Sequence, residues 1–134
     1  MSSVAPVLPS LQEFSHIRRR WRSARSMLRR AIRTVDIVFR MEDVPEDVRM
    51  SLLYQRGQLG EAMCNMWWMS PSRHRSLANE LRRVYEVEEM VDTNVDCLNS
   101  VIEGYHPVLP MICAENLDSE EYYLLYVFCQ PISS

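Results

Sequence analysis

The chain has no lysine: all fifteen of its cationic side chains are arginine. No folding rule demands that choice, so it points to a constraint on the coding sequence, a GC-rich genome or a gene that overlaps another reading frame, either of which a compact viral genome would supply. Glycine is scarce as well, with three residues in 134 and none of them in a phosphate-cradling loop. The four cysteines, Cys64, Cys97, Cys113 and Cys129, lie at least sixteen residues apart. That spacing excludes metal and redox motifs, and they read as reduced, mostly buried thiols of an intracellular protein, in keeping with the lack of a signal peptide. The histidines His16, His74 and His106 lack the spacing of metal pairs, and no nucleophile motif is present. An enzyme is therefore the weakest functional class, and the residues suggest neither a cofactor nor a metal. No apolar run is long enough to cross a bilayer.

What is present suits one globular domain. Of the residues, 47% are hydrophobic and 25% charged, a balance that excludes disorder. A chain of this length buries about two-thirds of its unfolded surface without staples. Charge is split along it: residues 1–40 hold nine arginines against two acids, and residues 41–134 hold six against sixteen. The two parts attract each other.

Residues 1–9 form a loose proline-containing lead-in, and the domain occupies residues 10–134. Ser10 and Glu13 make a capping box, after which Leu11, Phe14, Ile17 and Trp21, then Leu28, Ile32, Val35 and Phe39, recur at helical spacing. An unbroken helix to Arg40 would be ~45 Å long, which predicts a break near Ser23–Ser26. The arginines of this stretch read as a solvated face rather than a nucleic-acid site, since no exposed aromatics are interleaved with them for base stacking. Leu8, Leu11, Phe14 and Ile17 also have the spacing of an export signal, but core packing explains them more simply.

The segment from Asp43 to Met69 reads as a central helix covered on several sides. Asp43 is its expected cap, with Pro45 in the first turn and Glu46 completing the box. Val48, Leu52, Leu59, Met63 and Met66 form its stripe, widened by Leu53, Ala62 and Trp67. Gly57 and Gly60 each cost roughly 1 kcal/mol of helix propensity, which predicts close packing against the backbone there. Ser70-Pro71-Ser72 stops this helix and caps the next. That helix carries Leu77, Leu81, Val84, Val87, Val91, Val95, Leu98 and Ile102, as one rod or two with a bend at Thr93-Asn94, and closes on a left-handed Gly104. Residues 106–114 read as a buried connector. Asp118 would cap a last, nearly all-apolar helix over Ser119–Cys129. Nine methionines and the run Met66-Trp67-Trp68-Met69 supply adaptable apolar surface of the kind that accepts an amphipathic partner helix.

Two stretches carry a family resemblance. Leu11-Gln12-Glu13-Phe14-Ser15-His16-Ile17-Arg18, and Ile37-Val38-Phe39-Arg40-Met41 followed by Leu52-Leu53, Gly57, Leu59 and Met63, are similar to the opening and central segments of the adenovirus early region 1B small T antigens, the viral Bcl-2-like apoptosis inhibitors. That family's gene overlaps a larger neighbour's frame, which matches the coding oddity. The resemblance implies an all-α, Bcl-2-like compact bundle of about five to six helices around a central apolar helix. It also implies a viral early protein of the host cytoplasm, with peripheral association at intracellular membranes or the nuclear envelope. Host Bax- and Bak-like proteins would insert a death-motif helix into an apolar groove lined by Leu52, Leu53, Gly57, Leu59, Met63 and Trp67, with Arg49 or Arg56 meeting the partner's aspartate. The sequence departs from the family in that Tyr105 stands where it has tryptophan. Arg56 and Gln58 depart from a death motif, so this helix is not read as one donated to a partner. The competing reading is a viral adaptor or export-type accessory protein that binds another viral protein.

Overall fold

Helix α1 runs unbroken from Leu11 to Phe39. It is joined in a computed structural model by α2 (Glu46–Trp68) and α3 (Leu77–Gly104). The structure describes residues 7–39 and 44–104; the residues expected to form the connector and the last helix, and Asp43, lie outside these. The described residues are all-helical.

The predicted break near Ser23–Ser26 is not there. Ala24 and Ala31 carry the inward line between the larger residues, so that Ile17, Trp21, Ala24, Leu28, Ala31, Val35 and Val38 are all buried. At 29 residues α1 is about 43 Å long. Such a length fits because α3, of 28 residues, lies beside it for most of its course.

The order is up, down, up. The guanidinium of Arg49, near the start of α2, donates to the carbonyl of Phe39 at the end of α1 at 2.9 Å, while Trp67 near the end of α2 meets Trp21. The N–H of Leu77 donates to the Val7 carbonyl at 2.7 Å, which brings the starts of α1 and α3 together, so these two helices run in the same direction. The core between the three holds Leu28, Leu52, Leu59, Met66, Val87, Leu98 and Ile102, all fully or almost fully buried. Leucine-sized side chains removed from water in this way stabilise the fold by about 1.5–3 kcal/mol each. Leu11, Leu81 and Phe39 belong to the predicted stripes but are exposed, because each sits at the edge of its helix's inward arc or beyond the end of the neighbouring rod.

Local signals place the ends. The Ser10 N–H donates to Glu13 Oε1 at 3.0 Å and the Glu13 N–H to Ser10 Oγ at 3.1 Å, which is the predicted box. These bonds hold the Glu13 carboxyl below its ordinary value, the backbone bond from Ser10 contributing most. Helix α2 starts at Glu46, with Pro45 in the cap position and no side-chain cap bond. Helix α3 is capped by Ser76, whose hydroxyl accepts from the Asn79 N–H at 3.2 Å, rather than by Ser72. It continues through Thr93-Asn94 without a break, the Asn94 amide donating back to the Met90 carbonyl at 2.8 Å. Gly104 is its last helical residue.

Charge ties the helices sparingly. Arg20 forms a two-pronged pair with Glu88, one prong from Nε to Oε2 at 3.1 Å and the other from Nη2 to Oε1, joining the basic part of the chain to the acidic part. The carboxylate raises the Arg20 pKa further above its ordinary value. The second inter-helix pair, Arg56 Nε to Asp36 Oδ1 at 3.0 Å, runs against that division of charge.

Candidate functional site

Helix α2 has two apolar faces, and the bundle uses one. Taking 100° per residue, Val48, Leu52, Leu59, Ala62 and Met66 fall on a single arc, and all five are buried. The opposite arc carries Met50, Leu53, Gly57, Cys64 and Trp68, with Tyr54 at its edge and the acids Glu46 and Glu61 among them. Every one of these is exposed: Met50 at 57%, Leu53 at 51%, Tyr54 at 65% and Trp68 at 83%. An apolar stripe on the solvent side of a helix over five turns long does nothing for the stability of the described bundle.

Among the described residues, one flank of the predicted central helix is therefore left uncovered. Gly57 sits in the middle of that flank, and nothing described lies within 4 Å of a Cβ built there. At Gly60 the nearest atom is Arg56 Nη1 at 3.5 Å, the end of a flexible side chain. The close approach predicted from the two glycines is not found, because both turn away from α3 and the core. What they leave is a low saddle between Leu53 and the indoles of Trp67 and Trp68.

The residues predicted for a groove divide between the two faces. Leu53, Gly57 and Trp67 lie on the open side, and Met63 is half-buried against the core margin. Leu52 and Leu59 lie fully inside the core and line no open surface among the described residues. Arg49 is spent on the α1–α2 junction, donating from Nε to the Val44 carbonyl at 3.2 Å and stacking its guanidinium over Phe39 at 5.7 Å. Arg56 holds Asp36 at the same border but stays partly exposed, so it faces the edge of the open stripe. Met50, Tyr54 and Cys64 were not placed on this face, and Trp68 entered only through the run Met66-Trp67-Trp68-Met69. Stepping 180° from the line through Val48, Leu52, Leu59 and Met66 finds Met50 and Trp68 from the sequence alone.

Trp67 joins the site to α1. Its ring meets Trp21 edge to face, with centroids 6.3 Å apart and planes at 68°, and Arg25 stacks on the other ring at 5.0 Å. One edge of the open stripe thus adjoins Arg25 of α1. Cys64 and Cys97 are free thiols and exposed, contrary to the expectation of buried ones, since each falls outside its helix's inner arc. Cys113 and Cys129 lie outside the described residues. The export-like quartet is also split. Ile17 is core, Phe14 lies between the Arg18 and Arg73 guanidinium groups, and Leu8 and Leu11 are exposed rather than packed.

Among the described residues no cluster of His, Cys, Asp or Glu could hold a metal ion, and no helix is long and apolar enough to cross a membrane. No family model matches the chain, and neither does any curated protein or solved structure.

Proposed function

We propose that the chain captures an amphipathic helix of a partner protein on the outward face of α2 and, in the manner of the early region 1B small T antigens it resembles, thereby inhibits host apoptosis. The observation that carries this reading is the exposure of Met50, Leu53, Tyr54 and Trp68 on a helix whose opposite side is sealed in the core. A partner helix laid along the stripe would set anchors at i, i+3 or i+4 and i+7 against Trp68, the Gly57 saddle and Leu53. Gly57 lets the two backbones come close. Arg56 and the α1 arginines would meet acidic residues on the partner's polar side, which favours a death-motif helix carrying an aspartate and helps select it over basic amphipathic helices.

In this reading the partners are Bax- and Bak-like host proteins, bound in the cytoplasm and held back from assembling pores. The complete architecture would be the Bcl-2-like bundle of five to six helices, of which α1 to α3 are the described part. The groove then follows the outer side of α2, so Leu52 and Leu59 support its floor from within instead of touching the ligand.

A fluorescence-polarisation titration with a labelled Bax- or Bak-type death-motif peptide tests the proposal. Saturable binding is expected, and it should persist at high salt because apolar anchors dominate. Leu53→Glu and Gly57→Glu, both on exposed positions, should weaken it by roughly 30-fold or more, the range of a central anchor, with an unchanged helical circular dichroism spectrum. A peptide that fails to bind the full-length protein, or binds both variants as well as the parent, would refute the assignment. An adaptor for another viral protein would leave the peptide unbound.

A further inference from the structure

The groove between α1 and α3, on the side of the bundle away from α2, differs in chemistry from the α2 face. Both helices line two cavities along it. One, of about 530 Å³, includes His16, Arg19, Leu77 and Leu81; the other, of about 400 Å³, includes Ser23, Met27, Tyr85, Glu89 and Asp92. Met27, Leu81 and Tyr85 are its exposed apolar side chains. The open stretch ends past Arg30, because Thr34 and Ile37 farther along the same flank of α1 are buried.

The two walls carry opposite charge. On α1, Arg19 and Arg30 stand on one line at 100° per residue, about 120–140° round the helix from the Arg25 that borders α2. On α3, Glu89, Asp92 and Asp96, at intervals of three and four, form the facing row. All five are exposed, and among the described residues none has an ion-pair partner. The pair that does bridge the walls, Arg20 with Glu88, is half-buried.

Opposite walls fit a second copy of this chain better than a foreign helix. A purely cationic partner would suit α3 but meet Arg19 and Arg30, and a purely acidic one would meet the α3 row. Helices α1 and α3 run in the same direction and have 29 and 28 residues. A two-fold axis along the groove, parallel to both, therefore sets α1 of each copy over α3 of the other, cation on acid twice. Such an axis keeps every residue at its own level. Since Arg20 is level with Glu88, Arg19 falls about 3 Å from the level of Glu89 in the other copy, and Arg30 about 3 Å from that of Asp96. Met27 and Tyr85 lie beside the axis, where their apolar area is covered. From Gln12 to Arg30 the open face is about 28 Å long and roughly 20 Å wide, so two copies would bury about 1,100 Å² in all. A specific interface needs about 1,000 Å².

We infer that the protein forms a two-fold homodimer through the α1–α3 groove, with Arg19 and Arg30 of each copy on the Glu89–Asp96 row of the other. The inference does not depend on capture of a partner helix, since the outward face of α2 stays open in such a dimer.

Light scattering behind size-exclusion chromatography, with the full-length protein over a concentration series, tests it. The mass should rise from 15.8 kDa toward twice that value as concentration increases. Raising the salt from about 0.05 to 0.5 M should weaken association roughly tenfold. Arg19→Glu with Arg30→Glu, and separately Asp92→Arg with Asp96→Arg, should each weaken it by roughly tenfold or more. Mixed in equal amounts, the two variants should associate again, because both contacts of the mixed dimer then join opposite charges. A folding defect could not produce that recovery. Leu53→Glu should leave the dimer intact while weakening the peptide complex, which separates the two surfaces. A monomer at every concentration, as residues 105–134 or a foreign partner in the groove would give, overturns the assignment. So does a dimer that both charge variants keep and Leu53→Glu loses, or a mixture of the variants that stays monomeric.

Discussion

Glu80 provides the sharpest test of how the bundle is closed. Its side chain is 1% exposed, in the first turn of α3, and both its oxygens are used on the α2–α3 connection. Oε2 accepts from the Ser72 N–H at 3.0 Å and Oε1 from Arg75 Nη1 at 3.1 Å; the same Arg75 nitrogen reaches the Ser70 carbonyl at 3.3 Å. A charge-assisted bond to a buried backbone N–H contributes about 1.5–3 kcal/mol. Arg75 is 37% exposed, so its pair with Glu80 adds no more than about 1 kcal/mol after solvent screening. Truncation by Glu80→Ala removes both contacts and leaves a small void, and should cost about 3 kcal/mol, lowering the melting temperature by roughly 10 °C. Glu80→Gln keeps the shape and one acceptor but turns an amide N–H₂ toward a donor, and should cost about 1–2 kcal/mol. Urea denaturation followed by circular dichroism measures both, with the slope expected unchanged. A loss below about 1 kcal/mol for the alanine variant, or equal losses for the two, would refute the claim that this carboxylate staples the turn.

Gly57→Ala should stabilise the protein by about 0.8–1 kcal/mol, because the position is mid-helix, has no positive φ, and has room for a methyl group. A rise of roughly 3 °C in melting temperature would be expected, and a fall would mean that something packs on that backbone. The Glu13 box should show in the pH dependence of stability. A carboxyl held below its ordinary value in the folded state stabilises above the unfolded pKa of about 4.3, and that contribution fades as pH falls through the lower folded value. Wild type and Glu13→Gln should therefore differ in chemical stability at neutral pH and converge in acid; a gap that widened on acidification would contradict the box.

Much of the fold could be read where the determinants are local. The Ser10–Glu13 box, the stop at Ser70-Pro71 and the valine-rich stripe of α3 depend on residues within a turn or two of one another, and each stands where the pattern put it. The unbroken α1 was missed for two reasons. Alanines were not counted toward its stripe, although Ala24 and Ala31 are both buried. The limit on length also assumed a near-spherical domain, whereas long rods lying side by side make an elongated one. Glu80 could not be found at all: an acid in a first turn looks like a response to the helix dipole. Only the fold of the connection brings Ser72 and Arg75 to its oxygens.

The open face of α2 shows where periodicity stops being informative. A helix with apolar residues on two opposite faces gives a weak sidedness signal, so Leu52 and Leu53 were assigned to one surface although neighbours in sequence stand 100° apart on the helix. Packing separated them: Leu52 went to the core with Leu59, and Leu53 to solvent with Tyr54. The side chosen is the one that joins the shared core with α1 and α3, through Val48, Leu52, Leu59, Ala62 and Met66. Leu53, Trp67 and Trp68 would gain roughly 25 cal/mol per Å² if covered. Among the described residues that stabilisation is forgone along the whole helix, with Gly57 keeping the middle of the stripe low, where an alanine would add helix propensity. Among the described residues, helix propensity at Gly57 and apolar burial at Leu53 and Trp68 are thus both forgone at one place.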